Sequence, residues 1–162
     1  MCRIYFCIYN SYRFPNHELR STHYVMPHVV PLTSHAQVQT YLTKKWFYAE
    51  YAMFSLDPEV NWYTIHLSGY SGDAGDSLSN TTLEPLWNQN GRNFTTPDAD
   101  NDQKSDGNCA LLYSGMWWFN NCWWSCLTCP FRTKFFSWWT LDDYGLQKNG
   151  RLLAARMMIS TN

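Results

Sequence analysis

The pattern of apolar and polar positions is clearest in the segment NWYTIHLSGY, residues 61–70. Tyr63, Ile65 and Leu67 fall on one face of an extended chain, and the residues between them fall on the other face. This period of two residues predicts a half-buried β-strand. The strand runs into GYSGDAGDSL, residues 69–78, where glycines recur at three-residue spacing. That spacing predicts a tight turn with positive φ values and argues against a helix.

The rest of the chain has a weaker pattern. Residues 1–44 include MPHVVPLTSH, which carries two prolines and no clean period, so loops and short strands are predicted there. Residues 80–134 are loop-rich, and their densest aromatic stretch is MWWFNNCWW. The segment GRLLAARMMI near the end of the chain fits a helix by propensity, or a closing strand by its last apolar run.

Composition limits the class of protein. A chain of 162 residues predicts one domain with a substantial core. The formal net charge of -1 gives no reason to expect a nucleic acid or an anionic membrane as partner. No apolar run is long enough to span a bilayer, so membrane insertion is not expected. The start MCRIYFCIYNSYRF makes a poor signal peptide, and any targeting segment is expected to lie outside this chain.

Cysteines and sequons bear on the compartment. Two Asn-X-Thr sequons begin at Asn80 and Asn93, which supports a secreted glycoprotein only weakly because sequons often arise by chance. A cysteine-bearing, tryptophan-rich chain with a candidate cation site suits an extracellular domain better than a cytosolic one. The six cysteines are Cys2, Cys7, Cys109, Cys122, Cys126 and Cys129.

The acidic stretch DADNDQKSDGNC, residues 98–109, is the first candidate site. It holds Asp98, Asp100, Asp102 and Asp106, which repel one another unless water or a cation lies between them. An EF-hand loop would need glycine at its sixth position and glutamate at its twelfth, and this stretch has neither. A hard cation wrapped by alternate carboxylates and a solvated acidic loop remain equally open from the residues alone.

Three motifs in a fixed order change that balance. GYSGDAGDSL, FTTPDADNDQKSDGNCA (94–110) and YSGMWWFNNC (113–122) together resemble the fibrinogen C-terminal domain family, which includes ficolins, tachylectins, fibroleukin and angiopoietins. The resemblance implies an α+β fold in which a central antiparallel sheet is joined to a loop-rich, calcium-binding C-terminal subdomain. On this basis residues 1–44 form a divergent, apparently truncated N-terminal segment. Residues 45–162 form the domain, with the calcium loop and the candidate pocket in residues 94–145.

The resemblance also implies site residues. Asp100 and Asp102 match the two carboxylate ligands of a calcium ion, and carbonyls near Lys104 and Asp106 complete its shell. The resemblance further implies a disulfide between Cys109 and Cys122 and a cis peptide bond before the second cysteine. A ligand pocket is implied around that cysteine. Its expected residues are Tyr113, Asn121, Cys122, Trp123 and Tyr144.

Departures from the family pattern affect that pocket. Trp123 stands where lectin-type members carry histidine, and SCLTC replaces the usual SNLNG. The segment after Phe131 is shorter than usual and lacks a Tyr-Ala pocket wall. With Cys109 and Cys122 paired, Cys126 and Cys129 are too few ligands for zinc, so an extra disulfide or two free thiols is favoured.

The resulting expectation is a secreted, non-enzymatic, calcium-dependent recognition module. Its first form is lectin-like, with acetylated or other carbohydrate groups or glycoproteins as ligands, as in innate immunity. The alternative is a protein-interaction domain of the fibroleukin or angiopoietin type that binds a receptor, or a decayed, truncated copy. Homo-oligomerisation is left open. Trp117 and Trp118 are expected in the core rather than at a ligand platform.

Overall fold

The computed structural model of the protein describes residues 32–80, 82, 85–122, 125–131, 133–141 and 151–161. Four long strands form one antiparallel sheet in the order β3-β2-β1-β6, and two short strands, β4 and β5, pair separately. The elements are β1 (Leu32–Thr40), β2 (Trp46–Leu56), β3 (Ile65–Gly72), helix α1 (Cys109–Tyr113), β4 (Ser125–Cys126), β5 (Ser137–Trp138) and β6 (Leu152–Thr161). Short 3-10 turns cover Glu59–Asn61 and Pro85–Trp87.

Strand β1 lies between β2 and β6 and is regular along its length. Every second residue of LTSHAQVQT is buried, from Leu32 to Thr40. The expectation of only loops and short strands in residues 1–44 is therefore wrong for this segment. The physical reason is that Ser34 and Thr40 occupy core-facing positions, so the burial alternates where the hydrophobicity does not. Residues 1–31 lie outside the described part of the chain.

Strand β3 begins at Ile65, two residues after Tyr63, where the predicted alternation starts. Ile65 and Leu67 are buried as predicted. Trp62 and Tyr63 instead adopt positive φ values of 55° and 52°, and Trp62 ends the 3-10 turn that precedes the strand. Bulky residues seldom adopt this left-handed conformation, which is why alternation alone could not locate the start of the strand.

Gly69, Gly72 and Gly75 all have positive φ as expected, but Gly69 and Gly72 lie within β3, so the predicted turn is wrong for residues 69–72. Gly72 has φ of 136°, and a Cβ atom there would lie 2.2 Å from the backbone oxygen of Tyr48 on the neighbouring strand. Gly72 is still within β3, so the positive φ occurs at a strand end as well as in the following turn. Glycine therefore allows β2 and β3 to approach closely.

The closing segment is a strand and not a helix. Residues Leu152–Thr161 form β6, which pairs antiparallel with β1 from Leu32↔Thr161 to Thr40↔Leu152. The strand alternative of the sequence analysis is thus confirmed.

One cluster of buried residues links the sheet to the loop-rich region. It includes Val38 and Tyr51 from the strands and Trp117 and Trp118 from the aromatic stretch. The indole N–H of Trp117 donates to the buried side chain of Gln89 at 3.1 Å. The prediction that the tryptophan pair belongs to the core is confirmed. None of the helices in the described ranges has the length and apolar character needed to cross a bilayer.

A buried tyrosine gives the first testable prediction. The Tyr51 hydroxyl donates to Asp76 at 2.7 Å, and burial, followed by the charge of Asp76, raises the pKa of Tyr51 well above 10.0. The folded protein then keeps a proton that the unfolded chain releases above pH 10, so the free energy of unfolding falls as the pH rises beyond that value. Tyr51→Phe should reduce this fall, part of which remains because burial also raises the pKa of Tyr70. It should cost about 2 kcal/mol at neutral pH, because a hydrogen bond to a carboxylate is lost.

Urea unfolding at pH 8 and at pH 10.5 measures both effects. Tyr63→Phe is the control, because Tyr63 is exposed and its hydroxyl makes no hydrogen bond among the described residues. An equal loss of stability between the two pH values in wild type and Tyr51→Phe would contradict the prediction.

Candidate functional site

The acidic loop is anchored by one carboxylate. Asp102 Oδ1 accepts a hydrogen bond from the backbone N–H of Lys104 at 2.8 Å, and its Oδ2 accepts from the backbone N–H of Cys109 at 2.8 Å. The second bond reaches the first residue of α1. The loop and the helix are therefore held together by the side chain of Asp102.

Helix α1 is fixed at its first turn by Asn108. The Asn108 side chain accepts a hydrogen bond from the N–H of Leu111 at 3.1 Å and donates to the carbonyl of Thr96 at 3.0 Å. Asparagine is a favoured N-cap residue because its side-chain oxygen satisfies a free N–H at the helix start. The cap also joins α1 to the beginning of the acidic loop.

Electrostatics differ among the four aspartates. Partial burial raises the pKa of Asp102, and the nearby charge of Asp100 adds to this, although the two backbone N–H groups oppose it. By contrast, the hydroxyl of Thr96 lowers the pKa of Asp98, and the Lys104 ammonium lowers the pKa of Asp106. Asp100 and Asp102 are therefore the pair whose repulsion is least compensated.

The acidic loop offers a small set of metal donors. Asp106 pairs with the Lys104 ammonium, so its carboxylate is directed to that cation. Within the described ranges, no group of three or more His, Cys, Asp or Glu side chains converges as a metal cluster. Any cation held here would thus take Asp100 and Asp102 together with backbone oxygens, and each Asp102 oxygen keeps a lone pair beyond its hydrogen bond.

A disulfide joins the end of the acidic loop to the aromatic stretch. Cys109 is bonded to Cys122, the pairing that the family resemblance implies. The Asn121–Cys122 peptide is cis. Close by, the N–H of Gln103 donates to the carbonyl of Asn120 at 3.0 Å, so the loop contacts this stretch through its backbone as well.

The structure places only part of the expected ligand pocket. Tyr113 is the last residue of α1, and its half-buried ring packs edge-on against Phe135 with centroids 4.8 Å apart. The Asn121 N–H donates to the carbonyl of Leu86 at 3.1 Å, and Cys122 is buried. Trp123 and Tyr144 lie outside the described residues.

Cys126 and Cys129 form a second disulfide, which settles the choice between a bond and two free thiols. Both sulfurs are fully buried. The bond lies beneath Gly115, where a Cβ atom would come within 2.6 Å of the Cys129 sulfur. Neither cysteine is available as a thiolate ligand for zinc.

An apolar surface that was not predicted from the sequence lies next to the acidic loop. We call Leu111, Leu112 and Met116 the α1 patch. Leu111 is 62% exposed and Leu112 is 53% exposed, although they directly follow the buried Cys109 and Ala110. The available signal was Asn108 as an N-cap, which places a helix start at Cys109 and so directs the next two leucines away from the core.

Comparison with known proteins agrees with these features. The family model for the C-terminal globular domain of fibrinogen beta and gamma chains matches residues 29–142. Mouse angiopoietin-related protein 1 is 44% identical over 78 residues, which are 48% of this chain and 14% of that protein. Human fibroleukin is 43% identical over 75 residues, which are 46% of this chain and 16% of fibroleukin. The matched stretch is a small part of each curated relative.

Solved structures give the same result. The fibrinogen-like globe domain of human ANGPTL2 superposes with a TM-score of 0.64 and 30% identity, covering 82% of this chain and 59% of that one. Lamprey fibrin D-dimer, complexed with the peptide Gly-His-Arg-Pro-amide, has a TM-score of 0.66 and 25% identity, covering 79% of this chain and 44% of that one. The chain therefore has a fibrinogen-like globe fold built on an antiparallel sheet.

The two disulfides should differ in their contribution to stability. Cys109–Cys122 closes a loop with a sequence separation of 13, and Cys126–Cys129 one of 3. In the chain-entropy account the longer loop contributes about 3 kcal/mol and the shorter about 2 kcal/mol. Replacing Cys109 and Cys122 by alanine should therefore lower the free energy of unfolding more than replacing Cys126 and Cys129. Denaturant unfolding measures both pairs, and the reverse order would contradict the prediction.

Proposed function

Because the chain belongs to the family of fibrinogen C-terminal globular domains, we propose that it is an extracellular recognition domain that binds a protein partner. The proposal makes it a binding module and not an enzyme. Its two disulfides suit the oxidising conditions outside the cell. The binding surface is the α1 patch and the adjoining acidic loop.

The relatives favour a protein partner over a sugar. The curated matches include angiopoietin-related proteins and fibroleukin. Among solved structures, lamprey fibrin D-dimer is described in complex with a peptide ligand. The lectin interpretation has less support, because the histidine and the Tyr-Ala wall of acetyl-binding members are missing from this sequence.

The α1 patch is the observation that carries the proposal. Two adjacent leucines, both more than half exposed, lie one turn from the Asp102 anchor. Contiguous exposed apolar side chains with a charged rim are typical of protein-protein contacts, whereas sugar sites rely on aromatic faces and polar groups. Leu111 and Leu112 supply the apolar centre, and the carboxylates of the loop supply the rim.

We further propose that calcium holds the acidic loop. Asp100 and Asp102 would be the carboxylate ligands, with backbone carbonyls near Lys104 and Asp106 completing the shell. Oxygen donors suit hard cations. Partial burial, followed by the charge of Asp100, raises the pKa of Asp102, and a divalent cation would stabilise the charged form of both carboxylates. The cation would act on the shape of the loop and would not contact the partner.

Calcium and partner binding would be coupled through Asp102. A loosened loop releases the hydrogen bond that the Cys109 N–H donates to Asp102, and Cys109 begins the helix that displays the α1 patch. A partner that binds only the ordered form then has an apparent affinity that is reduced in proportion to the fraction of molecules in that form. Chelation should therefore weaken binding of an apolar partner surface.

The calcium proposal predicts a specific mutational result. Asp100→Ala should abolish calcium uptake, and Asp98→Asn should leave it nearly unchanged, because Asp98 is exposed and accepts its hydrogen bond from Thr96. Calorimetric titration of the purified protein measures both. Equal heats from wild type and Asp100→Ala would reject Asp100 as a ligand, and loss of uptake in Asp98→Asn would show that the whole acidic stretch acts only through its charge.

The recognition proposal is tested with displayed ectodomains of cell-surface proteins and with an array of acetylated sugars, each with calcium and with chelator. We expect the protein to bind an ectodomain. A Leu111→Asp/Leu112→Asp variant should bind the same ectodomain with an affinity that is lower by roughly tenfold or more, because a charge enters the apolar contact. Val60→Asp is the matched control, since Val60 is an 80% exposed apolar residue on another loop. Calcium-dependent binding to acetylated sugars that the double variant retains would favour the lectin interpretation instead.

A further inference from the structure

The outward face of the four-stranded sheet carries a second surface feature, on elements that the proposed function does not use. An open groove of about 380 Å³ is lined by Gln37, Trp46, Phe47, Tyr48 and Arg156. Trp46 is 49% exposed and Tyr48 is 42% exposed. Two large aromatic rings therefore stand open to solvent beside a cationic side chain.

Strand register explains why these side chains meet. Gln37 on β1 pairs with Tyr48 on β2 and with Arg156 on β6, so the three form one row across the sheet. Trp46 lies in the next row, opposite Gln39. The groove is thus built on three hydrogen-bonded strands rather than on loops, which fixes the spacing of its side chains.

The guanidinium of Arg156 is held on two sides. Its Nε donates to the side-chain oxygen of Gln37, and its plane lies over the Trp46 ring at 5.5 Å from the centroid. Its two terminal nitrogens make no hydrogen bond to any described residue. Those nitrogens form the edge that binds a carboxylate in a bidentate manner. The position of Arg156 is therefore fixed, and its two terminal guanidinium nitrogens remain able to donate hydrogen bonds to a ligand in the groove.

Further hydrogen bonds fix the residue that orients Arg156. Gln37 Nε2 donates to His35 Nε2 at 3.1 Å, so His35 carries its proton on Nδ1 and donates to Glu50 at 3.2 Å. The His35 ring stacks on Tyr48, with centroids 5.7 Å apart and an interplanar angle of 4°. Two carboxylates lie beside residues of this row. Glu50 is engaged by His35, and Asp73 accepts a hydrogen bond from the Tyr48 N–H at 2.7 Å; neither forms an ion pair with Arg156 among the described residues.

The adjoining end of the sheet is also basic. Lys44 and Lys45 occupy the turn between β1 and β2, and Arg151 lies over the Tyr41 ring at 4.2 Å at the same end. Positive charges at this end attract an anionic chain that runs past the groove. The charge pattern is thus complementary to a repeating anion.

We propose that this groove binds a carboxylate-bearing sugar of an acidic polysaccharide. The two terminal nitrogens of Arg156 donate hydrogen bonds to the carboxylate, and the exposed surfaces of Trp46 and Tyr48 pack against the apolar face of the sugar ring. A sugar is favoured over an acidic peptide because exposed aromatic side chains beside the guanidinium offer apolar surface to the ring that carries the carboxylate. The site shares no residue with the acidic loop, so its binding does not depend on calcium or on the proposed protein partner.

Calorimetry in the presence of chelator tests the ligand. The probe is a β-1,4-linked oligoglucuronate, and the control is the cello-oligosaccharide of the same length, which differs only in carrying hydroxymethyl groups in place of the carboxylates. We expect the oligoglucuronate to bind and the cello-oligosaccharide to bind at least tenfold more weakly. Equal binding of the two, stronger binding of polyglutamate, or a requirement for calcium would each overturn the proposal.

Variants test the residues. Arg156→Gln should weaken oligoglucuronate binding roughly tenfold or more, and Arg156→Lys should weaken it less, because it keeps the charge but loses the fork. Trp46→Ala should weaken binding roughly three- to tenfold. Trp62→Ala is the matched control, since Trp62 is 53% exposed elsewhere, and it should change nothing.

Thermal unfolding of each variant establishes that the fold is kept. A variant that does not fold is replaced by Gln37→Ala, which leaves Arg156 charged but unanchored and should also weaken binding severalfold. Unchanged affinity in folded Arg156→Gln or in folded Gln37→Ala would overturn the proposal.

Discussion

The two hydrogen bonds that Asp102 accepts are the constraint on which the loop-rich half of the molecule depends. One carboxylate fixes the turn at Lys104 and the first residue of α1. A helix of five residues cannot persist by its own hydrogen bonds, so α1 exists because its ends are held from outside. The Cys109–Cys122 disulfide then links the start of α1 covalently to the aromatic stretch.

In this region, side-chain amides form the hydrogen bonds to backbone groups that strand pairing forms in a sheet. Asn120 donates to the carbonyls of Pro85 and Asn88, and buried Gln89 both donates to the Ser125 carbonyl and accepts from Trp117. Buried backbone groups need partners wherever regular structure is sparse. The large aromatic residues can therefore be buried among loops without leaving these polar groups unpaired.

Predictions from the sequence were correct where the local pattern of residues matched their burial in the folded protein. The alternation around Ile65 and Leu67 located the buried part of β3, and three motifs in order identified the family. It failed for β1, because Ser34 and Thr40 face the core as small polar residues. The groove was not predicted either, since its row joins strands that are far apart in sequence and no local pattern records their register. Calcium binding by Asp100 and Asp102 stays a prediction.

The formal net charge of -1 conceals a separation of charge within the molecule. Aspartates gather in residues 98–106, whereas Lys44, Lys45 and Arg156 gather at the turn and outward face of the sheet. Fields from such clusters act over about 10 Å at ordinary ionic strength, so each surface attracts partners of opposite sign without cancelling the other. A divalent cation at the acidic loop would reduce the negative field there. The groove is built on β1, β2 and β6 and shares no residue with the loop, so a ligand in the groove does not compete with a cation or a partner at the loop.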